Sequence, residues 1–303
     1  MEVLLSKGAG FCFGVKRAVS LADEVLRRGK RPVYTLGPLI HNPQVIREFE
    51  EKGIKVVGNL DKVHPGTVIL RSHGVAPSIQ MEAKDKGFEI VDATCPRVKR
   101  VQQLAARLKK EGYQVVVIGE RGHPEVASIL ELLRDADVIE SFETIARLPK
   151  VKRIGVIAQT TQHMEHFKEL CKLLISKAEE VRIYNTICEA SITRQKNSLE
   201  LAKGVDLMIV VGGYNSANTR RLTEICKAVA ETHHIEEAAQ IKEKWLKERE
   251  RIGVTAGAST PISIINEVLR RLHFLAAHPT PKNQKNSPSR LRNSALYRIR
   301  SSP

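Results

Sequence analysis

Three of the five cysteines in this chain each open a motif that repeats, and that repeat limits what the chain can fold into more than any other feature. Cys12, Cys95 and Cys188 lie 83 and 93 residues apart. Each is followed by a helical pattern with basic residues in its first two turns: Lys16 and Arg17, Lys99 and Arg100, Arg194 and Lys196. Beyond each helix a strand-like run ends in glycine at Gly37, Gly119 and Gly212, which stand 25, 24 and 24 residues past their cysteines. Four residues further on comes a polar side chain, His41, His123 or Ser216. A later strand in each unit ends in a second polar cluster: Arg71-Ser72-His73-Gly74, Gln159-Thr160-Thr161 and Gly257-Ala258-Ser259-Thr260. A register this nearly constant predicts three copies of one unit. Apolar runs of strand length alternating with amphipathic helical segments make that unit α/β with a parallel sheet.

The expected organisation is a first α/β unit over 1–94, carrying the N-terminal strand and Cys12, a second over 95–187 and a third over 188–272. A basic, disordered extension is expected over 273–303, where Pro, Ser, Asn and Arg replace the alternating pattern. Ligands of open α/β sheets gather beyond the carboxyl ends of the strands, so a pseudo-threefold arrangement brings the cysteines and both sets of polar loops around one central cavity.

Charge narrows the function classes. The chain carries a net charge of +15, of which six lysines and arginines fall within 273–303 without an acid. Only 4% of residues are aromatic, and no stacking residues interleave with the basic ones, which argues against single-stranded nucleic acid and leaves an anionic substrate or an acidic partner. No apolar run approaches membrane-spanning length and no leader pattern opens the sequence, so a cytoplasmic protein without a membrane contact is expected. An odd number of widely spaced cysteines without a CxxC pair does not describe a disulfide framework. Cys171 and Cys226 fall within helical patterns, have no counterpart in the repeat and read as packing residues.

Three thiolates converging on an axis can bind zinc with a fourth ligand, or a [4Fe–4S] cluster with one iron lacking a protein thiolate; single, distant ligands suit the cluster better. Helix starts and nearby basic residues favour the thiolate form. His41, His73 and His123, with Ser216, Asn218, Ser259 and the amides of glycine-containing loops, have the chemistry to hold a diphosphate through charge-assisted hydrogen bonds. Glu125 is the carboxyl able to supply a proton. Together these groups describe reductive loss of a hydroxyl. Plainer roles compete: Ser216 and Asn218 as caps of the next helix, Glu125 as a first-turn acid, Gly10 and Gly14 as an incomplete dinucleotide loop. Two rival functions also remain, an RNA-binding protein with a structural metal and a cluster-dependent hydro-lyase.

The segments Gly10-Phe11-Cys12-Phe13-Gly14-Val15, His41-Asn42-Pro43, Arg71-Ser72-His73-Gly74, Asp92-Ala93-Thr94-Cys95-Pro96, Gly122-His123-Pro124-Glu125, Gln159-Thr160-Thr161, Asn185-Thr186-Ile187-Cys188, Asn215-Ser216-Ala217-Asn218 and Gly257-Ala258-Ser259 resemble, in order, those of the LytB family of 4-hydroxy-3-methylbut-2-enyl diphosphate reductases. The resemblance covers roughly residues 1–272. It implies a trefoil of three α/β units around one [4Fe–4S] cluster held by Cys12, Cys95 and Cys188, with the substrate hydroxyl oxygen on the open iron. It further implies conversion of the diphosphate to isopentenyl and dimethylallyl diphosphates in the non-mevalonate isoprenoid pathway, with two electrons and two protons. His41, His73, His123, Ser216, Asn218 and Ser259 match the diphosphate clamp, Glu125 the proton relay, and Thr160 a residue beside the substrate hydroxyl. A ferredoxin or flavodoxin is the implied donor, and no specific nucleic acid is expected. Two positions depart from the pattern. Ala217 stands where many members have a second serine, so a main-chain amide or water replaces one hydroxyl contact. Pro261 is followed by Ile262, where an acidic residue and then an aromatic are usual, which weakens the helix cap there.

Overall fold

The computed structural model describes residues 1–29 and 32–278. The first sheet is built from β2 (Val33–Leu36), β3 (Ile54–Val57), β4 (Thr67–Leu70) and β5 (Glu89–Asp92), with α1 (Phe13–Arg27) ahead of them and α2 (Pro43–Glu51) and α3 (Pro77–Asp85) in the crossovers. The second contains β6 (Gln114–Ile118), β7 (Asp137–Ile139), β8 (Val151–Ala158) and β9 (Ala178–Ile183), with α4 (Pro96–Lys110), α5 (Pro124–Leu132), the short α6 (Phe142–Ala146) and α7 (Met164–Leu174). The third contains β10 (Leu207–Val211), β11 (Glu231–Ile235) and β12 (Arg251–Ala256), with α8 (Glu189–Ala202), α9 (Ala217–Lys227) and α10 (Ile262–Ala277). Its fourth strand is β1 (Glu2–Leu5), from the other end of the chain.

Every strand pair is parallel, and the three sheets share one order: β5-β4-β2-β3, β9-β8-β6-β7 and β1-β12-β10-β11. The expected pseudo-threefold is therefore present, with one correction to the boundaries drawn from sequence. The N-terminal strand belongs to the third sheet, where Glu2–Leu5 runs in register with Arg251–Val254, and not to the first unit. The physical reason is edge pairing. β5 and β9 close their sheets just before the next cysteine; no cysteine follows α10 in this role, so the open edge of β12 is covered by the strand that precedes Cys12.

Each sheet is covered on both faces. α1 and α2 pack through Val15, Ala18, Val45 and Phe49, α4 and α5 through Val101, Leu108 and Ile129, α8 and α9 through Ala202 and Leu222. The opposite faces are covered by α3, α7 and α10. The inner strands consequently read as unbroken apolar runs, as in Leu207–Val211, all buried. Each fully buried aliphatic side chain contributes roughly 1.5–3 kcal/mol. α10 runs to Ala277 and buries Leu275, past the boundary expected at 272; the extension expected beyond it lies, from residue 279, outside the described residues. Pro261 is the N-cap of α10 and supplies no side-chain capping bond. Among the described residues no helix is long and apolar enough to cross a membrane.

Candidate active site

The two inner strands of each sheet end in the two polar loops, and the closing strand leads to the cysteine, so all nine elements meet at the strands' carboxyl ends. Cys12, Cys95 and Cys188 are the N-cap residues of α1, α4 and α8. Their amides make the same bond in each unit: Cys95 donates to the Ser72 carbonyl (2.9 Å), Cys188 to Thr160 (2.9 Å) and Cys12 to Ala258 (3.1 Å). Each cysteine is thereby tied to the neighbouring polar loop. The run Val181–Ile187 is strand only as far as Ile183, because side chains replace the ladder beyond it. Thr186 Oγ1 takes the Ala158 amide (2.7 Å) and donates to the Ala158 carbonyl (2.6 Å), while Asn185 Oδ1 takes the Ile187 amide (3.2 Å).

A cavity lies at this junction. It is lined by the three repeat cysteines, His41, His73, His123, Glu125, Thr160, Ser216, Ala217, Asn218 and Ser259, all named from the sequence as ligands, clamp or proton relay or at the clamp's variant position, and also by Gly14, Val15, Ile40 and Arg97. The sulfurs are close neighbours. A Cβ placed on Gly14 would lie 2.6 Å from Cys95 Sγ and 4.0 Å from Cys12 Sγ. Burial raises the pKa of Cys95, the amides of Arg97 and Val98 oppose that, and the Cys12 and Cys188 sulfurs add to it. Among the described residues no three of His, Cys, Asp or Glu close on one point as ligands of a single ion would. Three thiols on three helix starts could each take one iron of a cluster. Cys171 and Cys226 are buried in the apolar cores, their pKa values pushed up to about 11 and about 12 by burial, as inert packing thiols should be.

The three histidines pack against one another, with ring centroids 3.9 Å apart for His41–His73, 5.4 Å for His41–His123 and 5.7 Å for His73–His123. Burial, then the cations Arg71 and Arg220, lower the His41 pKa to about 4. Burial, then His41 and the same arginines, take His123 to about 3, and burial, then its two partners and Arg71, holds His73 well below its ordinary value. The clamp read from sequence as charge-assisted is thus neutral before a ligand arrives. His123 Nδ1 accepts from the Glu125 amide (3.2 Å) as N-cap of α5, which puts the ring proton of the neutral side chain on Nε2.

Glu125 is 1% exposed, and burial raises its pKa to about 7 against the opposing bonds from Thr160. Those bonds are specific: the Thr160 amide donates to Oε1 (2.8 Å) and its hydroxyl to Oε2 (2.7 Å). Ser216 is a cap as well as a cavity residue, its Oγ accepting from the Thr219 amide (3.3 Å). Ser259 Oγ donates to the His41 carbonyl (2.9 Å), and Asn218 Oδ1 accepts from the Ala258 amide (3.0 Å). His41 Nε2, His73 Nδ1 and Asn218 Nδ2 are buried without a protein partner, an arrangement that costs stability unless a ligand supplies the bonds. Sequence reasoning passed over Gly14, read as a remnant of a dinucleotide loop, and took Arg194 as one of the basic residues at the helix starts that favour a thiolate, without seeing its burial. Gly14's position two residues after a repeat cysteine was the available signal.

Fold and site define a class: a three-sheet parallel α/β protein whose strand ends converge on thiols and histidines. The chain belongs to the LytB family, whose family model, described as LytB protein, matches residues 3–273. A 4-hydroxy-3-methylbut-2-enyl diphosphate reductase of Citrifermentans bemidjiense is 49% identical over 275 residues, 90% of this chain and 97% of that protein. One from Geobacter metallireducens is 48% identical over 282 residues, 92% of this chain and all of the relative. Among solved structures, an (E)-4-hydroxy-3-methyl-but-2-enyl diphosphate reductase, described as the terminal enzyme of the non-mevalonate pathway, is 43% identical with a TM-score of 0.68, covering 90% of this chain and 100% of that one. The Plasmodium falciparum reductase is 27% identical with a TM-score of 0.86, covering 92% and 89%.

Proposed function

We propose that this chain reduces 4-hydroxy-3-methylbut-2-enyl diphosphate to isopentenyl and dimethylallyl diphosphates. The observation that carries the reading is the meeting of three helix-starting thiols, three packed histidines and one buried, easily protonated carboxyl in a single cavity of a LytB-family chain. The balance is simple: the carbon–oxygen bond to the hydroxyl breaks, two electrons and two protons enter, and water leaves. Cys12, Cys95 and Cys188 would hold one [4Fe–4S] cluster, which when bound supplies electrons one at a time and a Lewis-acidic iron without a protein thiolate.

The chain's own groups do the rest. His41, His73 and His123, with Ser216, Asn218, Ser259 and the Ala217 amide, take the diphosphate; its charge draws protons onto rings that are otherwise neutral, and its oxygens satisfy the orphaned nitrogens. Glu125, poised near neutrality by burial, holds a proton away from water and passes it through the Thr160 hydroxyl to the departing oxygen. Electrons come from a ferredoxin or flavodoxin, which a basic protein suits electrostatically. Five unpaired thiols suit the reducing cytoplasm.

Anaerobically reconstituted protein tests the reading. About four irons per chain, an electron paramagnetic resonance spectrum altered by the diphosphate, and turnover only when a reductant is supplied are the expected results. Zinc in place of iron, a cluster indifferent to the diphosphate, or turnover without an electron donor would each overturn it; the last would point to a hydro-lyase.

A further inference from the structure

α8 buries an unusual stripe. Ser191, Arg194, Gln195, Ser198 and Ala202 recur at helical spacing, and four of the five are polar. Three of these side chains bond to the ends of neighbouring elements: Ser198 Oγ meets Thr255 Oγ1 (2.7 Å), Gln195 Nε2 donates to the Gln162 carbonyl (3.1 Å), and Arg194 Nη1 donates to the carbonyls of Gly8 (2.5 Å) and Ala256 (3.1 Å). Gly8 lies in the bend leading to Cys12, and Ala256 ends the strand that leads to Ser259. Arg194 therefore ties the helix that starts at Cys188 to the Cys12 loop and to a cavity loop at once.

Arg194 is 5% exposed, and its Nε is buried without a partner. A guanidinium so placed costs several kcal/mol in desolvation unless an anion answers it. Among the described residues the groups that favour its charged form are the Cys12 and Cys188 sulfurs; no carboxylate does so. Arg17, at a comparable place on α1, differs. It makes a similar clasp, donating to the carbonyls of Thr94 (3.1 Å) and Asp92 (3.0 Å) ahead of Cys95, but is only part-buried.

We propose that Arg194 is the positioning residue for the metal centre: its guanidinium is the buried countercharge of the cluster on the Cys12–Cys188 side, and its clasp sets those two ligands relative to each other. The inference rests on the cluster reading above. A fixed positive charge favours the more negative, reduced state, so Arg194 holds the reduction potential up.

The test uses full-length, anaerobically reconstituted Arg194→Gln and Arg194→Lys. Far-ultraviolet circular dichroism verifies the fold, and redox titration followed by electron paramagnetic resonance gives the midpoint potential. Arg194→Gln should shift the potential downward, whereas Arg194→Lys, which keeps the charge but not the planar fork, should stay near the wild-type value. Both should surrender iron to a chelator faster than wild type, by about ten- to a hundredfold, since the clasp is lost in each. An Arg194→Gln protein with the wild-type potential would overturn the proposal. Should that variant fail to fold, Arg194→Lys decides: a markedly lowered potential, or iron held as firmly as in wild type, overturns it. Wild-type protein that takes up no iron would overturn the cluster reading and this inference with it.

Discussion

Replacing Gly14 with alanine sets two effects of opposite sign against each other. Gly14 is the second residue of α1, and alanine at a helical position is favoured over glycine by up to about 1 kcal/mol, so the helix itself gains. The new methyl, however, would sit 2.6 Å from Cys95 Sγ and 3.2 Å from Cys95 Cβ, where ordinary contact begins at 3.4 Å. Relief requires the sulfur, or the start of α4 behind it, to retreat by about 0.8 Å, several times the roughly 0.2 Å tolerance of a metal–ligand distance. Cys95 is tethered through its amide to Ser72, so the retreat also strains a cavity loop. We expect Gly14→Ala to fold with an unchanged or slightly raised melting midpoint and to lose most of its iron on anaerobic reconstitution, read by iron and sulfide analysis and by visible absorbance. Full iron content in a folded Gly14→Ala protein would refute the argument that Gly14 is the spacer between two ligand thiols.

Further outcomes rest on the same geometry. Glu125→Gln should keep the cluster spectrum yet turn over at least about a hundredfold more slowly, and wild-type turnover should decline as pH climbs above about 7, where the acid loses its proton. Because the folded pKa is about 7 and the reference value 4.5, the stabilisation from neutral Glu125 is complete below pH 4.5 and lost as pH rises to 7; urea midpoints should therefore favour Glu125→Gln over wild type more at pH 8 than at pH 5. Diphosphate binding near pH 6.5 should take up protons, measured by calorimetry in buffers of different ionisation enthalpy, since His41 and His123 are neutral beforehand; zero uptake would mean the histidines bind as neutral donors. Cys171→Ala and Cys226→Ala should retain iron at some cost in melting temperature, whereas Cys95→Ala should lose it.

The order of residues along the chain determined the repeat, and with it the parallel α/β units, the three repeat cysteines and the loops that line the cavity, because strand and helix periods and strand-end loops are local properties. What lies between segments far apart in sequence was decided only by tertiary structure. That β1 completes the third sheet follows from the need of β12's edge for a partner, which no local pattern records. The neutrality of the three histidines and the raised pKa of Glu125 arise from burial shared among groups as far as 84 residues apart, invisible in residue type alone. Arg194 reads in sequence as one of the basic residues in the first two turns after a repeat cysteine. Only the fold reveals that it is buried and that its neighbours are carbonyls of the Cys12 bend and of β12.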